Sequence, residues 1–137
     1  MLTERDGAAR TPVATVGSPF FPGEDPANAA IVKVVRRRDG RALYFSRALI
    51  PYAREGGVVV APLKHVGLYV YRRWFLRTYA ALPAGELERC EMLEQLRVLE
   101  AGYDIAVAVH PARSGGIDTP EQYEAFVRRV RAGEAGA

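Results

Sequence analysis

The sequence has 137 residues, 49% of them hydrophobic and 26% charged, with a net charge of +3 and a pI near 9.2. A chain of that size builds one domain at most, burying about 65–70% of its unfolded surface, and its apolar content excludes a disordered chain. One cysteine, Cys90, excludes a disulfide framework and a cysteine metal site, two histidines exclude a His-rich metal centre, and no apolar run approaches the ~20 residues of a membrane span.

Residues 1–30 carry Gly7, Pro12, Gly17, Pro19, Pro22, Gly23 and Pro26. That density of breakers predicts an irregular leading segment with at most one short strand around residues 12–16. The N-terminal "MLTERDGAAR" is polar from its third residue and lacks the apolar core of a secretion signal, so the cytoplasm is the expected compartment. Regular structure is expected from residue 31. "IVKVV" (31–35) and "ALYFS" (42–46) are β-branched or aromatic runs around the Asp39-Gly40 turn, which is a hairpin signal. "REGGVVVAP" reads as a loop with room for a short strand. "HVGLYVY" (65–71) alternates around Val66, Leu68 and Val70, with Gly67 where a backbone could come close.

The period then lengthens. "RRWFLRTYAAL" (72–82) places Trp74, Phe75, Thr78, Tyr79 and Leu82 on one helical face before Pro83. "ELERCEMLEQLRVLEAG" (86–102) predicts one continuous helix with a stripe of Leu87, Cys90, Leu93, Leu96 and Leu99, closed by Gly102. "DIAVAV" (104–109) predicts a strand. "PEQYEAFVRRVR" (120–131) predicts a final amphipathic helix, with Thr119 as N-cap and Gln122 completing a capping box, and 132–137 is a frayed tail. Strands alternating with helices imply an α/β layer with partly parallel pairing, whose ligands gather at the carboxyl ends of strands.

The arginines 36–38 flank a turn and lack interleaved aromatics, so they read as a solvated turn rather than a nucleic-acid surface. His65 shares a strand face with Tyr69 and Tyr71, a pattern that by itself fits half-buried core. Glu91, Glu94 and Gln95 fall together by the i, i+3, i+4 rule, a grouping suited to pairs of sugar hydroxyls. Asp118 stands just before the cap of the last helix, behind Gly115 and Gly116, and the capping box does not need it. A carboxylate there either favours the helix dipole or ligates a hard cation such as Mg²⁺.

Four stretches, "VKVVRRRDGRALYFSRALIPY", "KHVGLYVYRRWFL", "LERCEMLEQLRVLEAGYDIAVAV" and "GIDTPEQYE", resemble in order and spacing the C-terminal half of the 3-deoxy-manno-octulosonate (KDO) cytidylyltransferases over roughly residues 31–130. The resemblance implies a Rossmann-like, mixed-sheet α/β fold of the nucleotide-diphospho-sugar transferase type, with residues 31–131 forming its sugar-binding and dimerisation half. That family joins CTP and KDO into CMP-KDO and pyrophosphate with Mg²⁺, activating KDO for lipopolysaccharide, and it works as a cytoplasmic homodimer. By the same resemblance, Ser46 and Arg47 contact the sugar acid, His65, Tyr69, Glu94 and Gln95 line its pocket, and Asp118 ligates Mg²⁺.

Two features of the family have no counterpart in this sequence: the Arg-Leu-Pro-x-Lys-Pro triphosphate loop and the Gln-Gly-Asp-Glu-Pro segment with the second metal aspartate. At Gly85 the family tends to have Ser. The expectation is therefore a cytidylyltransferase half that lacks the CTP site and is inactive alone, either a fragment of a longer protein or a half complemented by a separate N-terminal half chain. The alternative is a non-catalytic module that binds a sugar acid or dimerises. Nucleic acid and membrane are not expected partners.

Overall fold

The computed structural model describes residues 10–112 and 120–132. Among the described residues nine elements follow one another: β1 (Val13–Pro19), β2 (Lys33–Arg36), β3 (Ala42–Ser46), β4 (Leu63–Tyr71), α1 (Arg73–Ala81), α2 (Glu86–Glu91), α3 (Leu96–Glu100), β5 (Ile105–Val109) and α4 (Pro120–Arg131). The strands form one mixed sheet in the order β3-β2-β4-β1-β5, in which β1 runs parallel to β5 and antiparallel to β4. The α/β architecture is the one expected from the alternation of periods.

Breakers in the leading segment bracket a strand instead of preventing one. Pro12 precedes β1 and Pro19 ends it, so the run reaches Pro19 and occupies the sheet between β4 and β5. Gly17 is closely packed in the sheet: a Cβ there would meet Val107 Cγ1 at 3.3 Å and Val34 Cγ1 at 3.4 Å. No such crowding exists at Gly67, where a Cβ would meet nothing within 4 Å, so the close approach expected there is not found. Gly67 instead belongs to a bulge: Thr15 pairs with Tyr69 while the next residue, Val16, pairs with Val66. The segment 58–60 forms no strand and lies exposed.

The Asp39-Gly40 turn forms as expected, with Gly40 at φ 85° and its N–H donating to Arg37 O. The arginines beside it are more than a solvated turn. Arg36 Nη1 donates to Val107 O at 2.8 Å, Arg37 pairs with Asp104 at 2.7 Å, and Arg41 bridges to Ala106, so the hairpin tip is strapped to β5.

The helix expected over 86–102 breaks in two. Met92 adopts φ 54°, ψ 49°, and α2 and α3 meet at an elbow. The i, i+3 stripe continues across the break, which is why periodicity cannot see it. Leu93 and Leu96 are buried, whereas Leu87 and Cys90 on the first arm are exposed. One bidentate pair locks the elbow: Arg97 Nε and Nη2 donate to the two Glu88 oxygens at 2.7 and 2.5 Å. That hydrogen bonding holds the Glu88 carboxyl below its ordinary pKa.

The core gathers Val13, Val34, Phe45, Phe75, Leu96, Val98, Ile105 and Val107 between one sheet face and the elbow. Of the face expected for α1, Phe75 is fully buried and Trp74 is exposed.

Candidate functional site

The outer end of β3 and the α2–α3 elbow are clamped by Glu91. Its Oε1 accepts from Ser46 Oγ at 2.7 Å and its Oε2 from the Arg47 backbone N–H at 2.9 Å, with Tyr44 Oη at 3.5 Å. Burial opposes charge on Glu91, but these donors and the nearby Arg47 charge outweigh it and hold the pKa below the usual range. The break at Met92 therefore directs Glu91 to the β3 end, not to a shared helical surface with Glu94 and Gln95. Ser46 is buried and fully engaged, donating to Glu91 and accepting from Ala48 N.

Arg47 extends along the elbow. Its Nε donates to Glu91 O at 2.8 Å, Nη1 to Ala29 O at 3.2 Å and Nη2 to Met92 O at 3.4 Å. These are carbonyls, not carboxylates. The guanidinium is aimed by neutral acceptors, and of its five N–H groups those not spent on them remain for an anionic ligand. Lys33 anchors the same corner from below, its buried ammonium donating to Asn28 O, Ile31 O and Arg47 O. Burial pushes the Lys33 pKa down, with Asp25 and Glu91 opposing.

From this corner an aromatic file runs along the inner face of the sheet. Phe45 meets His65 edge-on at 5.0 Å, His65 meets Tyr69 at 5.3 Å, Tyr69 meets Tyr71 at 5.9 Å, and Tyr71 meets Tyr79 of α1 at 6.0 Å. His65, Tyr69 and Tyr71 thus share one face as expected, and it is the inward one. Burial lowers the His65 pKa to about 4, so the ring is neutral at physiological pH. Burial likewise raises Tyr69, helped by Tyr71, Tyr79 and Glu94, so its hydroxyl keeps its proton.

Glu94, exposed at the elbow, is near enough to raise Tyr69, Tyr71 and Tyr79. Gln95 is only 7% exposed, yet its side-chain amide has no hydrogen-bond partner among the described residues. The amide is not among the buried unpartnered atoms of the described residues, so it reaches solvent, where water or a ligand can pair it. The elbow thus carries a cation, Arg47, and a carboxylate, Glu94, and the aromatic file a neutral imidazole and a protonated phenol. That set suits a polyhydroxylated acid.

Asp118 lies outside the described residues. Among the described residues no group of three His, Cys, Asp or Glu side chains could hold a metal ion. Sequence reasoning missed Thr15, the residue against the His65 ring, and the clamping role of Glu91. Thr15 had a signal: a polar residue at an inward position of the apolar run "VATV".

The mixed five-stranded sheet with its packed helices defines an α/β chain. The particular family is given by comparison. The model of the cytidylyltransferase family matches residues 5–105, and the chain belongs to that family. It is 49% identical over 127 residues to the 3-deoxy-manno-octulosonate cytidylyltransferase of Syntrophobacter fumaroxidans, covering 92% of this chain and 51% of that protein. The enzyme of the same description from Xanthomonas campestris strain 8004 is 47% identical over 132 residues, covering 90% and 52%. A solved CMP:2-keto-3-deoxy-manno-octonic acid synthetase complexed with CTP superposes with a TM-score of 0.81 at 43% identity, over 95% of this chain and 52% of that one. The chain spans about half the length of the curated relatives it matches.

Proposed function

We propose that this chain is the acid-sugar half of a 3-deoxy-manno-octulosonate cytidylyltransferase, taking part in the reaction of CTP and KDO to CMP-KDO and pyrophosphate for lipopolysaccharide synthesis in the cytoplasm. The observation that supports the reading is an Arg47 guanidinium aimed by neutral carbonyls at the elbow, with His65 in ring contact with Tyr69 at 5.3 Å and Glu94 close enough to act on Tyr69. Arg47 takes the sugar carboxylate, while Glu94 and Gln95 take hydroxyls in pairs. Ser46 acts through Glu91, fixing the backbone that aims Arg47.

In the reaction the anomeric hydroxyl of the sugar attacks the α-phosphorus of CTP. An O–P bond forms, the bond to the pyrophosphate oxygen breaks, and the hydroxyl proton is lost. The contribution of this half is positioning: a sugar acid fixed at its carboxylate and hydroxyls presents one oxygen to the phosphate. A Mg²⁺ ion, with Asp118 as its ligand from this half, would neutralise phosphate charge.

The CTP site is supplied by a complementary nucleotide half. Supporting this, β4 pairs with β1 from Leu63 to Tyr71, whereas on its other edge β2 pairs only at Leu63 and Lys64, with one further bond from His65 N to Val32 O. For a homodimer the surface on offer is the groove between the hairpin and the 51–61 segment, where Leu43, Pro51, Val60 and Leu63 lie beside Arg36, Arg37 and Arg38.

The test is pyrophosphate release from CTP, Mg²⁺ and KDO. The chain alone is expected to give none, and adding a nucleotide half in trans is expected to restore it. Turnover by the chain alone, abolished by Asp118→Ala, would refute the need for a second half.

A further inference from the structure

Thr15 is 3% exposed, and its hydroxyl oxygen has three polar neighbours: Leu68 O at 2.8 Å, His65 Nε2 at 2.9 Å and Val66 O at 3.2 Å. A hydroxyl has one proton to give, and the two carbonyl oxygens can only accept. The proton therefore goes to the carbonyls, of which Leu68 O is the nearer. With that proton spent, the hydrogen in the third contact has to come from Nε2. Were Nε2 the acceptor, two carbonyl oxygens would face the oxygen of the buried Thr15 hydroxyl with no hydrogen between them, lone pairs against lone pairs.

We infer that Thr15 is a positioning residue that holds His65 as its neutral Nε2–H tautomer, so that the one lone pair the ring offers a ligand is on Nδ1. The β4 bulge makes this possible, because the register slip after Thr15 brings the carbonyls of two residues within reach of one oxygen. Phe45, at 75° to the imidazole, and Tyr69 hold the ring from the sides, and Thr15 holds its edge. The consequence is a division of labour. A bare Nδ1 accepts a hydrogen bond, so it reads a hydroxyl of the sugar acid, while the carboxylate falls to Arg47.

This step rests on the reading of His65 as a sugar-pocket residue, and the two parts separate in one experiment. The intact chain is labelled with ¹⁵N-histidine, and His65 is told from His110, the second of two histidines, by a His110→Asn variant. The expected signature is a pyrrole-type nitrogen at Nε2 and a pyridine-type nitrogen at Nδ1. Thr15→Ser keeps that signature, whereas Thr15→Val, of the same shape without the hydroxyl, populates the Nδ1–H form. A pyridine-type Nε2 in the unaltered chain overturns the assignment, and an unchanged signature in Thr15→Val shows that Thr15 does not hold the tautomer. Adding KDO should move the Nδ1 resonance upfield. No movement with the tautomer intact would refute the sugar-pocket reading and leave the lock standing.

Discussion

The two faces of the β4-β1-β5 layer are built from the same short strands and have opposite fates. On the inner face Val13, Thr15, Tyr69, Tyr71, Ile105 and Val107 are aligned by register and covered by the helices and hairpin of this chain. On the outer face register aligns Ala14 with Val70 and Ala106, and Val16 with Val66 and Ala108, with no charged side chain in the set. There Leu68 is 61% and Val70 68% exposed. Strands apolar on both faces are typical of sheets covered on both sides. The inner face thus packs on this chain's own core with His65, Tyr69 and Tyr71 left partly exposed, and the outer face has the composition of one meant to be covered.

The largest effect expected from this contrast is at Phe75. Its complete burial predicts that Phe75→Ala lowers unfolding free energy by about 3–5 kcal/mol. Leu68→Ser, equally drastic on paper, should change it by no more than about 0.5 kcal/mol. Chemical denaturation of both variants decides the matter. A comparable loss at Leu68 would mean that the outer face is already buried in solution, as by self-association.

Next in size is the pH dependence that the inner face imposes. His65 titrates at about 4 in the folded chain against an ordinary 6.5. Between those values the unfolded chain binds the proton and the folded chain resists it, so stability falls as pH drops. The contribution is fully present above pH 6.5 and is lost by about pH 4, amounting to up to about 3 kcal/mol. Glu88 and Glu91, with lowered pKa values, add their own losses below the ordinary carboxylate pKa of 4.5. His65→Gln should flatten the upper part of the acid limb and leave the lower part. A limb unchanged by that substitution would show that burial of His65 does not govern it.

The strands were legible in the sequence because β-branched residues and the Asp-Gly turn act locally, whereas Arg47 and His65 were singled out by the family resemblance and not by any local pattern. What escaped was decided by one residue's backbone or by contacts remote in sequence. The stripe Leu93, Leu96, Leu99 gives no hint that Met92 takes a left-handed conformation, so the pairing of Glu91 with β3 was hidden. The strap from Arg36 to Val107 O spans 71 positions, and no local pattern announces it. Thr15 could have been suspected from its polarity inside β1, but its partners come from the far strand across a bulge.

The smallest effect is the sharpest, because it turns on a difference from the family pattern. Gly85 precedes α2 where the family tends to have Ser, which would supply an N-cap hydroxyl. Here the Glu100 carboxylate, from the end of α3, accepts from Leu87 N at 3.1 Å and Glu88 N at 3.2 Å, so the cap comes from the other arm of the elbow. The two solutions exclude each other in space: a Cβ on residue 85 would lie 1.9 Å from Glu100 Oε2. Glu100→Ala should therefore cost about 1 kcal/mol, the usual worth of a lost cap. Gly85→Ser should be near neutral, since the flexible Glu100 side chain swings away as the hydroxyl takes over its donors. In the Gly85→Ser background Glu100→Ala should then cost almost nothing. A double-mutant cycle measures this directly, and a full cost for Glu100→Ala in both backgrounds would show that the two caps are not interchangeable.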